Sequence, residues 1–187
     1  FKAIGDRAVT FDGASQNTPP AHWIGKTLLT SNEDEAIAIL RMIDCGSNDA
    51  YDLLLEEIKD PVTTKRIIDE IILKDKNEAK TILLDYTSNP DKILEKTHCD
   101  PPENYFITSE DMVSKAGVWA HFGSWDFERA YAYDTIKSNS KTDAISNLIE
   151  IGYSQEDAES TFRQLNGLNE QQANAWISPY PAYAGNG

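Results

Sequence analysis

Apolar residues recur at helical spacing through the middle of the chain. Between residues 49 and 96 they form successive stripes, and each stripe predicts an amphipathic helix with one face in the core. The stripes are Leu53, Leu54 and Ile58; Ile67, Ile68, Ile71 and Ile72; Ile82, Leu83 and Tyr86; and Ile93 with Leu94. This pattern predicts three or four consecutive helices.

Helices are also predicted on both sides of this block. A helix over residues 21–29 follows a Pro-Pro turn, and the next one begins at Ser31, whose side chain can cap it, and ends at Gly46. Further helices are predicted over residues 128–136, 143–151 and 154–166. Residues 177–187 are rich in turn-forming types and predict a mobile tail.

Two short stretches predict β-strands. Residues 8–11 alternate apolar and polar side chains and stop at Asp12, while residues 105–107 are an apolar run that precedes the helix cap Ser109. We therefore predict a mainly α domain with a few short β-strands, an α+β fold in which helices surround a small sheet. We expect residues 1–187 to form one compact unit.

The helix predicted after Ser109 carries four candidate site residues at spacings of one, three and four positions, which place them on the same or adjoining faces. They are Asp111, Met112, Lys115 and Trp119. Such a helix can present a small recognition pocket. The alternative is that Met112 and Trp119 are core residues and that Asp111 and Lys115 form an ordinary surface ion pair.

Composition excludes several function classes. Of 187 residues, 40% are hydrophobic and 26% are charged, which is ordinary for a globular domain. The net charge of −14 argues against binding to nucleic acid or to an anionic membrane surface. No apolar run predicts a transmembrane segment. Because the chain begins at Phe1, we expect it to be a fragment of a longer protein.

The sequence contains no complete catalytic motif. It has no Gly-x-Ser-x-Gly elbow, phosphate-binding loop or His-Glu-x-x-His pair, and its three histidines are far apart in sequence. His98 and Cys99 are too few for a zinc site, which takes four ligands. The residues alone therefore favour a binding or scaffold domain.

The two cysteines lie at the ends of predicted elements. Cys45 ends a helix and Cys99 lies in a loop that continues into two prolines. Two alternatives stay open, a disulfide in an oxidising compartment or two separate thiols. A Cα separation beyond ~7 Å would exclude the disulfide.

Two blocks of sequence, over residues 7–26 and 105–125, resemble a known family, and residues 39–42 are a third similar stretch. The first block follows a pattern of the form D-G-x-x-x-N and then G-K. The matching residues are Asp12, Gly13, Asn17, Gly25 and Lys26. The chain resembles the soluble C-terminal region of the archaeal catalytic subunit of oligosaccharyltransferase, beginning just after its WWDYG motif.

The resemblance implies a function. The full enzyme would transfer a glycan from a dolichyl-linked donor to the asparagine of Asn-x-Ser/Thr acceptor polypeptides. Met112, Lys115 and Trp119 fall in the register of the helix that contributes to the acceptor Ser/Thr pocket, whereas Asp111 lies one position early. In this interpretation residues 1–48 and 103–127 are the family core, 49–100 a helical insertion and 128–187 a helical extension.

The resemblance also implies what this chain lacks. The divalent metal, Mn or Mg, and the binding of the donor belong to a transmembrane domain outside this sequence. This region would lie on the extracytoplasmic face of the cell membrane and would be inactive alone. An alternative hypothesis, in which the chain is not part of an enzyme, rests on residues 148–167, which resemble a ubiquitin-associated domain. A helical hairpin near residues 143–167 would then make the chain a non-catalytic protein-interaction domain.

Overall fold

The structure, a computed structural model, describes residues 19–101 and 103–180. Within these ranges the chain forms helices and no strand, so the predicted α+β fold with helices around a small sheet is wrong. Residues 105–107 are not helical, but they exchange no backbone hydrogen bond with any described segment. The other predicted strand, over residues 8–11, lies outside the described residues.

Contacts divide the chain into two compact units, Phe1–Ser124 and Trp125–Gly187, where the sequence predicts one. The described helices of the first unit are α1 (Pro20–Leu29), α2 (Glu33–Gly46), α3 (Asp49–Ile58), α4 (Pro61–Ile71), α5 (Lys76–Leu83), α6 (Pro90–Thr97), α7 (Glu110–Ser114) and α8 (Ala116–Gly123). Those of the second are α9 (Phe127–Ser138), α10 (Lys141–Glu150), α11 (Gln155–Leu165) and α12 (Glu170–Ile177).

Local signals fix the ends of α2. The cap is Asn32, whose Oδ1 accepts hydrogen bonds from the backbone N–H groups of Asp34 and Glu35 at 3.0 and 3.3 Å. Ser31, the predicted cap, is one residue early. The helix ends at Gly46 as predicted, and Ser47 then takes a φ of 55°, which turns the chain into α3.

The core of the first unit is built from α1 to α6. Fully buried side chains from each helix meet there, and each contributes roughly 1.5–3 kcal/mol by leaving water. The largest are Trp23, Ile39, Met42, Leu54, Ile67, Ile68, Ile71, Ile72, Leu83, Ile93 and Leu94. Residues 49–100 therefore supply much of this core, and α3 to α6 match the predicted run of helices.

The second unit has a core of its own. Its buried residues are Ala132, Ile136, Ala144, Leu148, Ala158 and Leu165. Gly152 has a φ of 107° and makes the turn between α10 and α11, so the predicted helical hairpin near residues 143–167 is present. Of the predicted mobile tail, residues 181–187 lie outside the described residues.

Candidate functional site

The segment before α7 belongs to no helix and is exposed. Tyr105, Phe106 and Ile107 are 92%, 57% and 57% exposed, although all three are large and apolar. Ser109 is the N-cap of α7, as predicted, but its hydroxyl bonds to the carboxylate of Asp111 and not to the helix backbone. The apolar run that the sequence predicted as a short strand therefore lies at the surface.

The helix predicted to continue from Ser109 is interrupted at Lys115. This residue has φ −94° and ψ 7°, and its carbonyl accepts a hydrogen bond from the N–H of Val118 at 2.9 Å. The tighter turn separates α7 from α8, next to Gly117, whose helix propensity is low. Met112 therefore belongs to α7 and Trp119 to α8, and the four candidate residues do not share one continuous helix.

Asp111 and Lys115 form an exposed ion pair. Lys115 Nζ donates to Asp111 Oδ2 at 2.7 Å, and the two side chains are 57–58% exposed. This hydrogen bond, with that from Ser109, holds the pKa of the Asp111 carboxyl below its usual value. The geometry is that of the surface-pair alternative, while Met112 and Trp119 are half-buried.

Helix α8 crosses α1 at two glycines. A Cβ atom added to Gly25 would lie 2.5 Å from both the backbone N of Gly123 and the carbonyl O of Trp119. A Cβ on Gly123 would overlap the backbone of Gly25 in the same way. Only glycine permits this approach, so the two blocks that carry the family resemblance are joined backbone to backbone.

His22 lies at this crossing. Its Nδ1–H donates to the carbonyl O of Phe122 at 2.9 Å, which ties α1 to α8. Burial and the nearby charge of Lys65 lower the pKa of His22 from 6.5 to about 3. The imidazole is therefore neutral at physiological pH, and its role in the crossing is to donate this hydrogen bond.

This pKa predicts acid sensitivity. The folded pKa lies below the unfolded value, so the unfolded state binds a proton first and stability falls as the pH falls from about 6.5 towards about 3. Between about pH 6.5 and about pH 4.5 we expect His22 to remove roughly 2–3 kcal/mol of unfolding free energy. Denaturant unfolding at a series of pH values measures the loss.

His22→Asn provides the comparison. Burial also lowers the pKa of His98, so that histidine acts in the same direction and in the same range of pH. The unfolding free energy is plotted against pH for the wild-type chain and for His22→Asn. The difference between the two slopes gives the part of the acid destabilisation that comes from His22. Equal slopes would contradict the assignment.

A network of charges lies beside α1. Lys26 Nζ is 2.9 Å from Asp69 Oδ1 and 3.1 Å from Glu35 Oε1, and Lys65 Nζ is 2.5 Å from Asp69 Oδ2. Lys65 Nζ also lies 4.7 Å from the centroid of the Trp23 ring, a cation–π arrangement. Three charged side chains, Glu35, Lys65 and Asp69, thus lie around the family-like Gly25-Lys26 pair and anchor α1 to α2 and α4.

The pKa shifts in this network follow from burial and pairing. Burial opposes the charged form of Asp69, but Lys65 and Lys26 hold the pKa of its carboxyl below its usual value. Burial lowers the pKa of Lys65. Burial also opposes the charge on Lys26, but the carboxylates of Asp69 and Glu35 together outweigh it and raise the pKa of Lys26. Sequence analysis missed this network, although Lys65 and Asp69 have the i,i+4 spacing of a helical pair.

Cys45 and Cys99 form a disulfide. Their Cα atoms are 5.7 Å apart, within the ~7 Å limit for a bridge, and 54 residues separate them in sequence. The bond ties the end of α2 to the loop after α6, from which the exposed segment leads to α7. Nearby, Arg41 Nε donates to the carbonyl O of Thr97 at 2.9 Å.

Metal-ligand clusters and membrane-spanning helices are absent from the described residues. No group of three or more His, Cys, Asp or Glu side chains among them could hold a metal ion. None of the described helices is both long and apolar enough to cross a bilayer. Residues 103–115 follow the disulfide in sequence and precede α8, and all of them except the half-buried Met112 are exposed.

Two curated relatives are similar to this chain. Both are named dolichyl-phosphooligosaccharide-protein glycotransferase. The protein from Methanococcus voltae is 37% identical over 131 residues and that from Methanocaldococcus jannaschii 38% identical over 130 residues. Each match covers 65% of this chain and 14% of the relative.

The chain is a homologue of part of this archaeal glycotransferase. The family resemblance inferred from the sequence is therefore confirmed, and the protein-interaction alternative is not favoured. No protein-family model matches the chain. No solved structure matches it either. Because the chain spans only 14% of each glycotransferase, the activity of a whole enzyme does not follow from the match alone.

Proposed function

We propose that this chain is part of an oligosaccharyltransferase that transfers a glycan from a dolichyl-linked donor to the asparagine of Asn-x-Ser/Thr polypeptides. The observation that carries this proposal is 37–38% identity to archaeal glycotransferases over 65% of the chain. The donor and a divalent metal, Mn or Mg, would be held by parts of the enzyme outside this chain. The chain alone would be inactive.

The chain would contribute part of the pocket for the acceptor serine or threonine. Lys115 is the central candidate, since an ammonium group has three N–H donors and the bond to Asp111 uses one. The group is 58% exposed, so it can donate to a hydroxyl that approaches from outside. Met112 and Trp119, both half-buried, would form the apolar wall, and Asp111 would orient Lys115.

The disulfide supports an extracytoplasmic position at the cell membrane. Disulfides persist mainly in oxidising surroundings and are rare where thiol reductants are abundant. The bond between Cys45 and Cys99 therefore favours placement of this region outside the cytoplasm. The membrane attachment itself would come from the donor-binding domain.

The activity is tested on the purified full-length enzyme. We expect it to convert a peptide with Asn-x-Thr into a glycopeptide, detected by mass spectrometry, in the presence of a dolichyl-linked donor. A matched peptide with Asn-x-Ala should stay unmodified. Chelation of divalent metal should abolish the reaction, and Mn or Mg should restore it. Failure to form glycopeptide with donor, metal and acceptor all present would contradict the proposal.

Lys115→Ala in the full-length enzyme is expected to weaken acceptor binding. Loss of a hydrogen bond from a charged donor costs ~1.5–3 kcal/mol, so the KM for the acceptor peptide should rise about 10- to 150-fold. The KM for the donor should not change. A titration of each substrate measures both values.

Lys80→Ala is the matched control. Lys80 also forms an exposed ion pair, with Asp91 at 2.7 Å, but it lies on α5. Its removal should leave both KM values within about 2-fold, since exposed ion pairs contribute little to stability. Equal acceptor KM values for the Lys115 and Lys80 variants would remove Lys115 from the pocket.

A further inference from the structure

Four large apolar side chains are exposed within nine consecutive residues. Tyr105, Phe106, Ile107 and Val113 are 92%, 57%, 57% and 77% exposed. Exposed apolar residues that stand alone are common, whereas a continuous group of them marks an interaction site. We call residues 103–113 the apolar segment.

Within the apolar segment, the backbone of residues 103–108 has no hydrogen-bond partner among the described residues. Residues 103–108 are not helical, and their N–H and C=O groups make no hydrogen bond to any described residue. Water satisfies such groups in the free protein, and an extended chain can replace that water by pairing with them backbone to backbone. The geometry therefore suits a polypeptide partner in extended conformation.

Charge narrows the choice of partner. Glu103 precedes the apolar residues and Glu110 follows them, while the charges of Asp111 and Lys115 offset each other in an ion pair. A second copy would bring like charges together, and the net charge of −14 opposes approach to another copy or to anionic lipid. An extended polypeptide with basic flanks is complementary to this segment.

We propose that the apolar segment binds the acceptor polypeptide in extended form. The backbone of residues 103–108 would pair with the acceptor backbone, Phe106 and its neighbours would cover its apolar side chains, and the acidic flanks would contact its basic residues. The identity of the partner as the acceptor rests on the proposed function. The segment would thus hold the acceptor outside the Ser/Thr pocket, through contacts that do not depend on Asn-x-Ser/Thr.

The first experiment measures binding to the 187-residue chain. The probe is a labelled synthetic peptide with Asn-x-Thr, apolar neighbours and lysine flanks, followed by fluorescence anisotropy. We expect binding that is about 5-fold weaker when the flanks are glutamate and that weakens as salt rises, because salt screens exposed charges. Amides of residues 104–108 should exchange with deuterium more slowly when the peptide is bound.

Variants test whether the segment itself is the contact. Phe106→Ser should weaken peptide binding about 10-fold or more, and Ile107→Pro, which removes a backbone N–H donor, should also weaken it. Leu84→Ser is the matched control, because Leu84 is 60% exposed but lies at the end of α5. That variant should bind within about 2-fold of the wild-type chain.

Results of three kinds would overturn the inference. One is absence of binding, or equal losses for the Phe106 and Leu84 variants. Another is protection of the amides of residues 104–108 in the full-length enzyme before peptide is added, which would show that the enzyme itself covers the segment. A third is a dimer that Phe106→Ser dissociates. If the enzyme forms glycopeptide in spite of any of these, only this inference fails, whereas absence of glycopeptide defeats the proposed function.

Discussion

Reduction of the Cys45–Cys99 disulfide is expected to lower the unfolding free energy of the first unit by about 4 kcal/mol. The bond closes a loop across 54 residues, and release of such a loop increases the conformational entropy of the unfolded chain by about this amount. Denaturant-dependent hydrogen exchange of amides in α2 and α6, with and without a thiol reductant, measures the loss.

A double variant separates reduction from other effects of the reductant. Cys45→Ser combined with Cys99→Ser should be about as unstable as the reduced wild-type chain and should not respond to reductant. We also expect faster exchange in the loop after α6, because the bond holds it to the end of α2. A reduced chain as stable as the oxidised one would show that the bond does not constrain folding.

Gly123→Ala is expected to destabilise the first unit by about 3 kcal/mol or more, at the upper end of the cost of overpacking. The added methyl group would overlap the backbone of Gly25 and Lys26, and backbone atoms cannot move aside as the end of a side chain can. The helices α1 and α8 would have to separate, which would also break the hydrogen bond between His22 and Phe122. Denaturant unfolding measures the effect.

Gly46→Ala is the control in the same unit. The three atoms nearest to its added methyl group all belong to the side chain of Lys96, which is flexible and can move aside. We expect a loss below about 1 kcal/mol, as for other changes that a surface side chain can accommodate. Similar losses for Gly46→Ala and Gly123→Ala would show that the crossing does not require glycine.

Sequence analysis predicted most helices because their signals are local. The stripes of apolar residues between 49 and 96 correspond to α3 to α6, and the stop at Gly46 agrees with the end of α2. The cap of α2 was misplaced by one residue, from Asn32 to Ser31, since both types can cap and only the geometry of the turn selects one. Helix α12 was not predicted.

The candidate site was predicted less well. The sequence placed four residues on one helix, because each is compatible with helical structure and their spacing puts them on the same or adjoining faces. These residues are Asp111, Met112, Lys115 and Trp119. The interruption at Lys115 depends on where α8 packs, and α8 is held by the contact of Gly123 with Gly25. That contact joins residues 98 positions apart, and no local pattern specifies it.

By itself the sequence determined the helical periodicity, the acidic charge and the likeness to archaeal glycotransferases, since each is a property of residue types and their order. Only the tertiary structure decided that the apolar run at residues 105–107 is exposed, that Lys65 is buried beside Asp69, and that Cys45 meets Cys99. The physical reason is that burial and pairing depend on which distant segments pack together. An apolar or charged residue has the same local pattern whether or not a partner covers it.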